Sequence, residues 1–301
     1  MDWKSDFIGR KGGVVIYMIS ITEAQSLLKC EEIIKPFPSS GQKQVFLVKF
    51  QDKGIVVAKF VKSEDLRVQR EIEIVTENDI INVPKMIEIK NFTTALNETY
   101  ICIIEEYVQG ISLTSKMGQG KLSTPDGLKL LQTLLRIAGQ LEGLSVVHRD
   151  IKPDNIICGD DGEYYLIDFG IARQLNRASL TMTHAVVGPH TPGYGAPELF
   201  QYSKIDIDIR ADLFSIGVVL FEALTGEHPF LTGEEMSVNE IWYRTKTVSP
   251  KNIIIDGDTN RQFISFIQTL MQKHPTRRPP SARKALEWYD AVVPTMQLEG
   301  L

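Results

Sequence analysis

Residues 211–224 limit the fold more than any other stretch of this chain. They are apolar on almost every face, interrupted by Asp212, Ser215 and Glu222, and Gly226 follows as a helix stop. A helix with one apolar stripe can lie on a surface, whereas one that is apolar all round is stable in water only when enclosed. The chain must therefore surround this helix with other elements. Its 301 residues, 43% of them hydrophobic, supply enough apolar surface to do so in one domain or in two closely packed lobes.

The first third of the chain follows a different period. Val45–Phe50 and Ile55–Phe60 are β-rich runs separated by Gln51-Asp52-Lys53-Gly54, which reads as a hairpin. Ser63 then caps an expected helix with Glu64 and Asp65 in its first turn and Val68, Ile72 and Val75 as its buried stripe. Two more strands are expected around Met86–Lys90 and Tyr100–Glu105. Beyond Gly110 the spacing becomes helical, with Thr124 and Pro125 opening a helix marked by Leu131, Leu134, Leu135, Ala138 and Leu141. No internal repeat or long linker interrupts this order.

Charge and cysteine content exclude some functions. A net charge of −5 gives no broad attraction for nucleic acid or anionic lipid, so nucleic acid is not the expected substrate. Cys30, Cys102 and Cys158 are too dispersed for a zinc pattern and too few for a disulfide framework, which suits buried thiols in a reducing compartment. The run Val14–Ile21 lacks a small-residue cleavage site and is too short to span a bilayer. The expectation is a cytoplasmic protein with no membrane span.

Chemistry concentrates in His148-Arg149-Asp150-Ile151-Lys152-Pro153-Asp154-Asn155 and Asp168-Phe169-Gly170, which together can place a proton acceptor beside a metal-bound phosphate. With Ala196-Pro197-Glu198 they match H-R-D-L-x-x-x-N, D-F-G and A-P-E, so the chain resembles the eukaryotic-type protein kinase family over about residues 31 to 292. The resemblance implies ATP as substrate and Mg²⁺ as cofactor. It makes Asp150 the base that accepts the attacking hydroxyl's proton, Lys152 a γ-phosphate contact, and Asn155 and Asp168 the metal ligands.

Val56-Val57-Ala58-Lys59 resembles V-A-I-K, which assigns Lys59 to the α- and β-phosphates. Its expected carboxylate partner is Glu71, which flanks the Val68/Val75 stripe, in preference to Glu73. The nucleotide contacts implied are Ser40, Gly41, Lys43, Val45, Ala58, Glu106, Val108 and Ile157.

Further residues narrow the acceptor. Lys152 and the segment Thr191-Pro192-Gly193-Tyr194-Gly195-Ala196-Pro197-Glu198 resemble serine/threonine kinases. Glu198 is expected to pair with Arg278, and Asp212 to brace the catalytic loop. Arg149 is of the kind that binds a phosphorylated activation segment, for which Ser179, Thr181 and Thr183 are candidates. The expected fold is therefore α+β and two-lobed. An N-terminal extension (1–30) precedes a small lobe (31–108) of antiparallel sheet with one helix. A larger, mainly helical lobe (109–292) and a short tail (293–301) follow.

The sequence also departs from the family. Pro38, Ser40 and Lys43 stand where three loop glycines belong, with Gly41 at an intervening position. Proline removes an amide donor and Ser40 adds a Cβ, while Lys43 brings compensating positive charge. Phosphorylation of Ser39 or Ser40 would repel nucleotide. Gly188-Pro189-His190 reads as a small insertion before the docking loop. Glu105 stands at the back of the nucleotide pocket, where a buried carboxylate requires a partner.

The leading reading is a serine/threonine protein kinase, possessing protein substrates and a regulatory partner or self-association for autophosphorylation, of a bacterial type. The alternatives are a nucleotide-binding pseudokinase scaffold and a small-molecule phosphotransferase.

Overall fold

The computed structural model describes residues 10–11, 14–15, 19–37, 43–62, 78–94, 97–169, 173–174, 192–200 and 207–298. The expected helix over 63–77, the loop at 38–42 and the activation segment with Thr181 and Thr183 lie outside them. The chain separates into two compact units, Met1–Ile72 with Lys85–Tyr107, and Glu73–Pro84 with Val108–Leu301.

The first unit is built on β1 (Glu32–Pro36), β2 (Lys43–Phe50), β3 (Gly54–Lys62), β4 (Met86–Thr93) and β5 (Thr99–Glu106). They form one antiparallel sheet in the order β1-β2-β3-β5-β4. Gly54, at φ 69°, closes the β2–β3 turn in the left-handed region that glycine enters without steric cost.

Because strand side chains alternate, register sorts the sheet into two faces. Val45 pairs with Lys59 and Leu47 with Val57, while Lys59 pairs with Ile103 and Val57 with Glu105. The opposite face carries Phe46, Val48, Val56, Ala58, Phe60, Cys102 and Ile104 into an apolar core. Phe46 and Phe60 meet edge to face there, with centroids 5.9 Å apart.

Helix α1 (Ile21–Leu28) belongs to this core, contributing Ala24 and Leu28 together with the preceding Ile19. Ser20 caps it by accepting from the Glu23 amide at 3.1 Å, and Gln44 of β2 donates to the Ile19 carbonyl at 2.8 Å. Full burial of a side chain such as Leu28 contributes about 1.5–3 kcal/mol.

In the second unit, β6 (Gly110–Ser112) leads into the short helix α2 (Leu113–Met117) and then α3 (Thr124–Gly143). The cap of α3 is Ser123, one residue before the expected start, with the Asp126 amide donating to its hydroxyl at 3.2 Å. Strands β7 (Ile156–Gly159) and β8 (Tyr164–Leu166) pair antiparallel, and β7 also pairs with β6.

Helix α4 (Arg210–Thr225) is the enclosed helix: from Ala211 to Leu224 every residue except Glu222 is buried. Helices α5 (Val238–Thr247), α6 (Gln262–Leu270) and α7 (Ala282–Val292) complete the unit. A Cβ at Gly217 would lie 2.8 Å from Met271 and 2.9 Å from Leu270, so glycine there lets α4 approach the end of α6 closely.

Among the described residues, no helix is long and apolar enough to cross a membrane. All three cysteines are free. Cys102 is buried as expected, but Cys30 and Cys158 are only partly so.

Candidate active site

The loop from His148 to Asn155 is organised from beneath by one buried carboxylate. Asp212, in the first turn of α4, is fully enclosed and accepts from the His148 amide at 2.7 Å and the Arg149 amide at 2.8 Å. Burial pushes its carboxyl up from the ordinary range, while the His148 ring and these amides pull the other way. Arg149 has φ 69°, a left-handed conformation that costs a non-glycine residue about 1–3 kcal/mol and persists only where neighbours dictate it. The paired amide bonds supply that constraint. The His148 ring packs edge-on against Phe169 at 4.7 Å, joining the His-Arg-Asp and Asp-Phe-Gly segments.

Above this brace, Asp150 is nine-tenths buried and held from two sides. Asn155 Nδ2 donates to its backbone carbonyl at 2.8 Å and to its Oδ2 at 3.0 Å, and Lys152 Nζ lies 2.9 Å from the same Oδ2. The Ile167 amide donates to the Asn155 carbonyl at 2.9 Å, which fixes the backbone leading into Asp168. Asp168 itself has φ 70°, the second left-handed non-glycine residue of the site.

This arrangement fits the expected metal. With its amide nitrogen committed to Asp150, Asn155 keeps Oδ1 as an acceptor, and Asp168 adds a carboxylate, a hard oxygen set of the kind Mg²⁺ prefers. Among the described residues there is no cluster of three or more His, Cys, Asp or Glu able to hold a metal ion. A divalent ion here would take its remaining ligands from phosphate and water.

The docking-loop expectations that fall on described residues are met in this unit. Arg278 reaches Glu198 through two parallel bonds, Nη1 to Oε1 at 2.5 Å and Nη2 to Oε2 at 2.9 Å, with its own side chain fully enclosed. It also donates to the Arg210 and Gln272 carbonyls. Tyr194 donates to Glu222 at 2.7 Å, and burial pushes both groups up from their usual values. His228, edge-on to Tyr194, accepts at Nδ1 from the Phe230 and Leu231 amides, and burial holds its imidazole down at about 4. Sequence reasoning passed over His228, whose only signal was a histidine just before Pro229.

The sheet unit carries the other expected residues. Lys59 is buried on the face that also bears Val45, Leu47 and Val57, and its Nζ lies 2.7 Å from Oε1 of Glu105. Glu105 therefore has the partner its burial demands. Lys43 opens β2 opposite Val61, on the Lys59 face.

Ala58 requires a correction, because it is fully buried in the core on the opposite face. The residue that shares a face with Lys59 is Val57. The period-2 alternation of the strand already contained this signal, since two residues on the same face differ by an even number.

Glu106 ends β5, its amide donating to the Lys85 carbonyl at 2.9 Å and its side chain exposed. In the second unit, Val108 is partly buried just beyond the sheet strands. There Ile157 alternates with the fully buried Ile156, so it faces away from the helical core. Ser40, Gly41 and Glu71 lie outside the described residues.

A five-stranded antiparallel unit with a buried lysine, and a helical unit presenting an Asp-Lys-Asn loop on a buried aspartate, define the protein kinase class. The family model described as protein kinase domain matches residues 41–288, and the chain belongs to that family. It is 32% identical over 61% of its length to CBL-interacting serine/threonine-protein kinase 21 of Arabidopsis thaliana, covering 41% of that protein. It is 26% identical over 84% of its length to the serine/threonine-protein kinase pkn2 of Myxococcus xanthus, covering 31%. A probable serine/threonine-protein kinase PknB of Bifidobacterium longum is 35% identical over 52% of the chain and 22% of that protein. The chain thus spans less than half the length of these curated relatives.

Proposed function

We propose that this chain is a serine/threonine protein kinase that transfers the γ-phosphate of Mg-ATP to hydroxyls of protein substrates. The observation that carries the reading is the Asp150 constellation, in which Asn155 and Lys152 converge on one carboxylate oxygen. Bound Mg-ATP supplies the transferable phosphoryl group and the cation that neutralises its charge. Asp150 orients the acceptor hydroxyl and takes its proton. Lys152, a cation within reach of that carboxylate, offsets negative charge on the transferring group. Asn155 Oδ1 and Asp168 would hold the metal, and Lys59 would contact the α- and β-phosphates.

Support for a protein acceptor comes from the Glu198–Arg278 pair and Tyr194–Glu222, which tie residues of the docking loop itself to the helical unit. The reading also places autophosphorylation at Thr181 or Thr183 opposite Arg149, and the protein in the cytoplasm.

Incubation with radiolabelled ATP and Mg²⁺ tests it. Incorporation into the chain or a generic acceptor protein is expected. Loss by about 10²–10⁴-fold is expected in Asp150→Ala, the range for a removed general base, and comparable loss in Asp168→Asn. Absence of transfer in wild-type protein under all conditions favours a nucleotide-binding scaffold instead.

A further inference from the structure

The Lys59–Glu105 pair is the feature that family membership does not account for. Lys59 and Glu105 occupy neighbouring strands of a continuous ladder, Lys59 opposite Ile103 and Glu105 two residues further along the same face. Such diagonal neighbours are within reach of long side chains, and here the charged groups meet at 2.7 Å. Their side chains are only 6% and 12% exposed, so water screens the pair weakly.

We propose that Glu105 is a positioning residue for the phosphate-contacting lysine, a sheet-borne carboxylate that holds the Lys59 ammonium in place. The inference rests on the proposed role of Lys59 toward ATP.

Three physical points carry it. First, β3 and β5 are interior strands of the sheet, with β2 and β4 outside them, so register fixes the two backbone positions that carry the pair. Second, a buried ammonium without an anion favours its neutral form, and a neutral amine does not attract phosphate. Third, an ammonium has three donors, so a bond to Glu105 is compatible with a bond to a phosphate oxygen. Glu105 would thus act on Lys59 and not on the reacting atoms.

The test is steady-state kinetics in ATP with a generic acceptor protein for wild type, Glu105→Gln, Glu105→Asp and Lys59→Met. A melting curve for each confirms folding. Glu105→Gln is expected to raise KM for ATP by at least about 10-fold, the scale of one hydrogen bond to a charged group, with kcat within about 3-fold. The alkaline limb of its kcat/KM profile should move to lower pH, because an ammonium that has lost a neighbouring carboxylate gives up its proton more readily. Glu105→Asp should restore KM to within about 3-fold of wild type.

Wild-type kinetics in folded Glu105→Gln overturns the proposal. So do a loss in kcat alone or failure of Glu105→Asp to rescue. Where Glu105→Gln does not fold, Glu105→Thr, whose β-branched side chain suits a strand, is judged by the same criteria. If Lys59→Met keeps the wild-type KM for ATP, the reading of Lys59 itself fails, whatever Glu105 does.

Discussion

The two units hold their chemistry in different ways. In the sheet, Lys59 is placed by register: every pairing from Lys43–Val61 to Phe50–Gly54 repeats the same decision about which face a side chain takes. In the helical unit, the Asp150 loop has no ladder of its own and depends on a few buried polar contacts, chief among them the two amide bonds to Asp212. Repetition spreads the constraint over many residues, whereas a brace concentrates it in one. The sheet half should therefore tolerate single changes that the loop half does not.

The largest expected effect tests that concentration. Asp212→Ala strands two loop amides without an acceptor, at about 1–3 kcal/mol each, and lets the loop shift. Displacement of a catalytic group by about 1 Å can cost 10²-fold in rate. Urea unfolding should show the stability loss, and kcat should fall by at least about 100-fold. A variant within a few-fold of wild type would remove the contrast between brace and register.

Acid sensitivity gives the next effect. His228 accepts two amide bonds at Nδ1 and must be neutral to do so, and burial holds its folded-state value at about 4, below the ordinary 6.5. The unfolded chain therefore takes up this proton first. The stability His228 contributes is present above pH 6.5 and is lost as pH falls towards 4, by about 3 kcal/mol at most. Urea midpoints measured across this range should fall less steeply in His228→Asn, which keeps an acceptor but does not titrate.

Smallest is the test of the strand faces. Ala58→Val adds two methyl groups to a closed core and should cost about 1–3 kcal/mol with ATP KM unchanged. The opposite outcome, unchanged stability with a raised KM, would return Ala58 to the nucleotide face.

Much of this architecture was legible in the residues themselves. The apolar run 211–224 announced an enclosed helix because no solvent-facing stripe interrupted it, and the β-rich runs at 45–50 and 55–60 announced their hairpin. Asp212, Glu198 and Arg278 were assigned by motif resemblance, and their bonding agrees with those assignments. Helix α1 was not foreseen, because eight residues give little periodicity and its burial depends on sheet residues distant in sequence. The partner of Glu105 was hidden for a related reason: Lys59 and Glu105 meet only once the β3–β5 register is known. Ala58 adjoins Lys59 in the strand, and period-2 alternation alone puts the two on opposite faces.

The Glu198–Arg278 clasp also bears on how the chain folds. Its two residues are 80 positions apart, so closing that contact requires a large entropic loss before any bonding gain is realised. Contacts of this kind form late, after local helices such as α6 have consolidated. An interaction absent from the transition state leaves the folding rate almost untouched and sets the escape rate instead. The clasp would then act as a kinetic latch, governing how long the folded helical unit survives more than how quickly it is reached.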